Sequence, residues 1–150
     1  MTAEGKVIIF VNDREKIKPV AAFLYRIIGQ HAIAVLHGEM LQPERYSYIE
    51  KFRKNINVLL TTNVGARELD TAEVRNVINY YAATNRDNHI HRIGRNGRAG
   101  QSGIAYTLLT KEDEAFAKII LPTLTSDENK KQICEFYFIT TLSITEAKKS

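Results

Sequence analysis

Apolar residues in this chain fall into short runs, separated by stretches in which they recur at a helical period, and that alternation sets the first expectations. KVIIFVN at 6–12 is a β-rich run of the kind buried on both faces of a parallel sheet. Behind it Val20, Phe23, Leu24, Ile27 and Ile28 are spaced as one helix face. Gly29 reads as the stop, and Pro19 as a first-turn residue whose missing N–H does no harm. AIAVL at 32–36 predicts the next strand, and QPERYSYIEKFRKN at 42–55 a helix turning Tyr46, Ile49 and Phe52 inward. NVLLTT at 57–62, VINYY at 77–81 and IAYTLLT at 104–110 predict three more strands, followed by a closing helix over EDEAFAKIILPTL at 112–124, interrupted by Pro122.

Strands and helices alternating at these intervals suit βαβ crossovers, which implies an open α/β fold with a mostly parallel sheet and helices on both faces. Ligands in such sheets sit outside the carboxyl ends of the strands, where TTNVGARELD and the loop before HRIGR fall. Past Leu124 the pattern loosens, so residues 1–126 are expected to form the main domain and 127–150 a C-terminal extension, partly docked or frayed. Its apolar middle, Ile133, Phe136, Tyr137, Phe138 and Ile139, fits either a docked helix or a strand.

A length of 150 residues is about one domain. The single cysteine, Cys134, excludes an intrachain disulfide and points to a reducing, intracellular compartment. No apolar run approaches the roughly 18 residues that cross a bilayer, so no membrane partner is expected. Net charge is +4, and its distribution says more than its size. No carboxylate lies between Glu50 and Glu68, while Lys51, Arg53, Lys54 and Arg67 do; none lies between Asp87 and Glu112, while Arg92, Arg95, Arg98 and Lys111 do. In a chain with 17 acids, two such windows point to an anionic partner.

The second window holds HRIGRNGRAG, 91–100, expected to begin as a helix near Arg86 or Asp87 and to end at Asn96-Gly97. On a helix His91 and Arg95 share a face, Arg92 lies a quarter turn round, and Arg98 reaches out beyond the end. Planar guanidinium forks match phosphate oxygens, and the glycines strip away bulk around them. In TTNVGARELD, Thr61, Thr62, the small Gly65-Ala66 pair and Arg67 suit a nucleic-acid backbone, and Asp70 suits a ribose hydroxyl; a helix start capped by Asn63 fits the same stretch. HGEMLQPER supplies His37, Gly38, Gln42 and Arg45, with Pro43 opening a helix as the plainer account. A G-x-x-x-x-G-K-[ST] phosphate loop is absent from the sequence, and EDEA at 112–115 opens a helix rather than closing a strand.

Together these residues resemble the C-terminal RecA-like domain of the DEAD-box RNA helicases. KVIIFVN is similar to that family's motif IV, HGEMLQPER to its Q-x-x-R element, LLTTNVGARELD to motif V and HRIGRNGRAG to motif VI, in family order over roughly 6–124. The resemblance implies a RecA-like three-layer αβα sandwich that works as the second lobe of a two-lobed RNA-stimulated ATP hydrolase and duplex-unwinding helicase. ATP and RNA would lie between the lobes, with Mg2+ held mainly by an N-terminal lobe of the same full-length chain; the lobe alone would be inactive. It also implies roles. Arg98 would be the arginine finger and Arg95 a second phosphate contact, His91 and Arg92 would couple to the other lobe's acidic box, and Asp70 would meet the ribose. Gly38, Gln42, Arg45, Thr62 and Gly65 would lie on or near the RNA backbone, with Arg67 linking RNA and nucleotide. RNA, the N-terminal lobe and protein regulators are the expected partners, and the nucleus the expected compartment.

The sequence departs from the family pattern at Asn63, where Asp or Ser is common, Glu68 for glycine, Thr71 for isoleucine, Tyr81 for aspartate and Asn96 for threonine. A non-catalytic helicase-like lobe that binds RNA or protein is therefore the competing expectation, and an arginine-rich RNA-binding module on an unrelated α/β fold a third.

Overall fold

The computed structural model describes residues 5–67, 69, 73–95, 103–124 and 132–138, with 121–124 and 132–138 described by their backbone. Six strands, β1 (Lys6–Phe10), β2 (Ile33–Leu36), β3 (Val58–Thr61), β4 (Val74–Asn79), β5 (Gly103–Leu109) and β6 (Gln132–Phe138), form one sheet in the order β2-β3-β1-β4-β5-β6. Every neighbouring pair is parallel. The connections carry α1 (Arg14–Ile28), α2 (Gln42–Lys54), α3 (Arg86–Ile93) and α4 (Glu114–Leu124).

Period-two alternation in the central strands splits the core. Ile8 and Phe10 join Leu36, Phe52 of α2, Leu59, Val77 and Ile93 of α3 on one face. Ile9 and Val11 join Ile17, Val20 and Ala21 of α1 and Leu60 on the other. The stretch after Leu124 contributes a strand: β6 pairs along β5 from Gly103↔Gln132 to Leu109↔Phe138. Of the two forms expected there, the strand extends the sheet; Ile139 lies outside the described residues.

Four expectations about the helices need correction. In α1 the buried residues are Ile17, Val20 and Ala21, whereas Ile27 is 61% and Ile28 44% exposed. The inward face starts a turn earlier because Asp13 accepts the Lys16 N–H at 3.1 Å and caps the helix there. That cap also moves Pro19 out of the first turn and into the helix interior. Gly29 does stop the helix, at φ 86°, a left-handed φ that glycine adopts without strain. In α2, Tyr46 is 67% exposed, and the inward set is Arg45 and Phe52 with half-buried Ile49. Spacings of four and three follow the 3.6-residue turn, whereas Tyr46–Ile49–Phe52 drifts round it. Pro122 does not interrupt α4, whose backbone runs through it to Leu124.

The corrected α1 face has a direct test. Ile17→Ala should lower unfolding free energy by about 2–5 kcal/mol in urea denaturation, while Ile27→Ala should change it by less than about 0.5 kcal/mol.

Candidate functional site

Chain order leaves β1 toward β3 and β2 on one side, and toward β4, β5 and β6 on the other, so the crevice outside the carboxyl ends of β1 and β4 is a topological switch point. α3 delivers its side chains there. Asn85 caps α3 by accepting the Asn88 N–H at 2.9 Å, which places the helix start beside the end of β4. The helix ends at Ile93 with Gly94 as its cap, before the expected terminator Asn96-Gly97, which lies outside the described residues.

Arg92 occupies the centre of this arrangement and is 2% exposed. Its Nε donates to Asn63 Oδ1 at 2.7 Å, one terminal nitrogen to the Tyr81 carbonyl at 2.9 Å, and the other to Asn12 Oδ1 at 2.7 Å. The guanidinium also stands 5.3 Å from the centre of the Phe10 ring. Asn12 lies after β1, Asn63 after β3 and Tyr81 after β4, so one side chain ties three strand ends together. All three acceptors are neutral; burial pulls the guanidinium down to about 10, and it stays charged at neutral pH. Arg92, which the resemblance sets against another lobe's acidic box, spends these donors within its own lobe. Arg92 points inward, because α3 lies across the strand ends and turns that face down onto them.

Its neighbours face the solvent. Arg67, Asn88, His91 and Arg95 line a cleft of about 190 Å³ with Phe10, Asn63, Ala66 and Arg92. His91 and Arg67 are exposed and Arg95 half-buried. The structure therefore brings together two elements read separately in the sequence, the turn after β3 and the helix after β4. Asp70, Glu68, Thr71, Asn96 and Arg98 lie outside the described residues.

The remaining candidates divide by burial. Gly38 and Gln42 are exposed at the carboxyl end of β2 and the start of α2. Arg45 is 7% exposed and donates to the His37 carbonyl at 2.9 Å, so it fixes the β2–α2 turn from inside. Thr61 spends its hydroxyl on the Leu36 carbonyl at 2.8 Å, and Thr62 accepts the Gly65 N–H at 3.2 Å; neither hydroxyl stands clear of the protein. A Cβ on Gly65 would meet Leu36 O and Thr61 Oγ1, each at 2.5 Å, so the small residue is demanded by packing of the turn on β2. Asn63 accepts from Arg92 instead of capping a helix.

Sequence reasoning passed over Asn12, Phe10 and Asn88. Asn12 carried a usable signal, the first polar residue after a buried strand and so a residue of the carboxyl rim, and it further donates to the Ala82 carbonyl at 3.0 Å. Asn88 is three residues before His91, on the same helix face.

The model of the helicase conserved C-terminal domain matches residues 1–100. The chain belongs to this family. Human ATP-dependent RNA helicase DDX42 is 45% identical over 117 residues, which are 77% of this chain and 12% of that protein. This helicase C-terminal domain therefore spans about an eighth of such a curated relative. The C-terminal domain of the DEAD-box protein Dbp5 superposes with TM-score 0.71 at 30% identity, covering 99% of this chain and 82% of that one. Dbp5 of S. cerevisiae, bound to RNA and ADP BeF3, gives TM-score 0.71 at 29% identity over 97% of this chain and 37% of that one. The fold is the RecA-like α/β fold of DEAD-box C-terminal domains.

Within the helicase domain, α3 also carries His89, which is 1% exposed and packs edge-on against Phe116 of α4, ring centres 5.7 Å apart. Burial, then the nearby Arg92 charge, push this imidazole down to about 4 from its usual 6.5. The unfolded chain therefore takes up a proton near pH 6.5 that the folded chain refuses until about pH 4, so stability falls as pH drops through that window. The loss should total on the order of 3 kcal/mol by pH 4 in urea denaturation, and His89→Phe should remove that component of the pH dependence.

Proposed function

We propose that this chain is the second lobe of an ATP-dependent RNA helicase, delivering cations to a nucleotide held mainly by a first lobe. The observation that carries the reading is the gathering of Arg67, His91 and Arg95 around one cleft with buried Arg92 beneath them, at the sheet's switch point. The two guanidinium groups of Arg67 and Arg95 and the His91 imidazole form a donor set for phosphate oxygens, and they fit the triphosphate of ATP. ATP supplies the phosphoanhydride bond that is hydrolysed.

Arg95 contacts phosphate, and Arg98, a short step along the chain, acts as the arginine finger on the charge that develops at the γ-phosphate. His91 faces the first lobe, which holds Mg2+. Asp70 accepts from the ribose. Arg92 serves as a positioning residue, setting the height of α3 over the strand ends. RNA runs across the carboxyl rim past Gly38, Gln42 and Arg67, and Arg45, Thr62 and Gly65 shape that rim from within. Phosphate contacts of this sort fix register without reading sequence, so RNA choice falls to other parts of the full-length protein or to protein regulators.

A second reading, a binding lobe without catalysis, draws on the neutral ring around Arg92, because Asn63 stands where the family pattern has Asp or Ser and Tyr81 where it has aspartate. Joining the chain to a first lobe separates the two. RNA-stimulated ATPase should fall about 10³–10⁵-fold on Arg98→Ala, as measured by phosphate release under saturating RNA. A fusion that binds RNA yet hydrolyses nothing would establish the binding lobe instead.

A further inference from the structure

Of the cationic side chains in the first acid-free window, Arg67 lies at the carboxyl rim but Arg53 and Lys54 do not. Lys6, Arg53, Lys54 and Arg75 line a trough of about 520 Å³ with Gly5, Asn57 and Glu73 at the opposite, amino-terminal end of β1, β3 and β4. They come from three separate elements. A basic cluster at the C-terminus of α2 alone would be accounted for by the helix dipole, but Lys6 is on β1 and Arg75 on β4.

The trough has a built floor and loose walls. Lys6 is 9% exposed; its ammonium donates to the Phe52 carbonyl and, at 3.3 Å, to the Ile56 carbonyl, and stands 3.8 Å from Glu73. It thereby takes up carbonyls left open where α2 ends. The Arg75 stem lies against Gly5: a Cβ there would fall 2.2 Å from its Cγ, and φ of 92° makes the position a glycine site as well. Arg53 and Lys54, with side chains 76% and 68% exposed, pair with Glu50 at 3.5 and 3.1 Å. Such surface pairs on one helix are weak and exchange readily for a stronger anion.

α2 joins the two ends of the sheet. It starts at the carboxyl rim with Gln42 and ends at the trough with Lys54, 13 residues or about 20 Å of helix. A stacked strand advancing about 3.4 Å per nucleotide covers that distance in roughly six nucleotides.

We infer that the amino-terminal rim of this lobe is a second RNA-backbone contact, engaged by the strand that has already crossed the carboxyl rim past Gln42. The inference rests on the RNA reading above. Two arginine forks and the Lys54 ammonium in an open trough suit successive phosphates, and the shared helix gives one polyanion a path to both rims.

The test compares binding of the chain to unstructured RNAs of about 5 and about 20 nucleotides by fluorescence anisotropy over a salt series, with the variant Arg53→Gln/Lys54→Gln/Arg75→Gln. The expected result is unchanged affinity for the short RNA, a roughly tenfold or greater loss for the long one, and a long-RNA salt slope shallower by about 2.1 for three lost phosphate contacts. Loss of neither, or equal loss at both lengths, overturns the second contact, as does an acidic peptide such as polyglutamate displacing the long RNA from the trough more effectively than added short RNA. If the triple variant melts at lower temperature than the parent, the same comparison is read from Arg53→Gln/Lys54→Gln, whose positions are exposed. Arg67→Gln distinguishes the two readings. If it leaves short-RNA binding intact while the triple variant loses long RNA, the carboxyl-rim reading fails and the second contact stands. A parent chain that binds neither RNA ends both.

Discussion

A guanidinium group taken out of water must find acceptors for its donors or cost several kcal/mol, and in this molecule the acceptors belong to three different strand ends. Arg92 can satisfy itself only when Asn12, Asn63 and the Tyr81 carbonyl stand within hydrogen-bond distance at once. The residues after β1, β3 and β4 are thereby held in one relative position, and α3 is held over them. His91 and Arg95 follow on the same short segment and Arg67 on the turn below, so the cationic cleft inherits its shape from a residue that barely reaches it. Burial beside Arg92 also explains why His89, one turn away on α3, resists protonation.

That arrangement has an electrostatic consequence. The three partners of Arg92 are two amides and a carbonyl, so its charge is hydrogen-bonded but not neutralised by any described carboxylate. Hydrogen bonds to neutral acceptors fix geometry while leaving the field of the cation in the cleft, where it adds to those of Arg67 and Arg95. An aspartate at position 63 would hold Arg92 equally well and cancel much of that field. The amide favours anion attraction over local charge balance.

The architecture was legible because the apolar runs are short, β-rich and separated by crossover lengths, and all five predicted strands are present, though β4 starts three residues before VINYY. What the period did not reveal was phase. Arg45, polar by type, takes the inward place on α2 assigned to Tyr46, since the His37 carbonyl is there to receive it. Ile27 and Ile28, apolar by type, lie beyond the part of α1 that meets the sheet. The site was legible as a set of arginines but not as a division of labour. Sequence spacing places Arg92 and Arg95 near each other; only the positions of Asn12 and Asn63, 80 and 29 residues away in the chain, decide that one is a tie and the other a cleft residue. The glycine at 65 shows the same limit: its need comes from the Leu36 carbonyl on a neighbouring strand.

Family membership, cleft geometry and charge pattern thus meet in one chain of cause, from a buried cation to an ordered set of strand ends to a cationic rim. The most direct test is a double-mutant cycle between Asn63→Ala and Arg92→Met, followed by urea denaturation. If the guanidinium ties the strand ends as described, the two substitutions should couple by about 1.5–3 kcal/mol. Additive effects, agreeing within about 0.5 kcal/mol, would mean that Arg92 does not hold the end of β3 and would contradict the account.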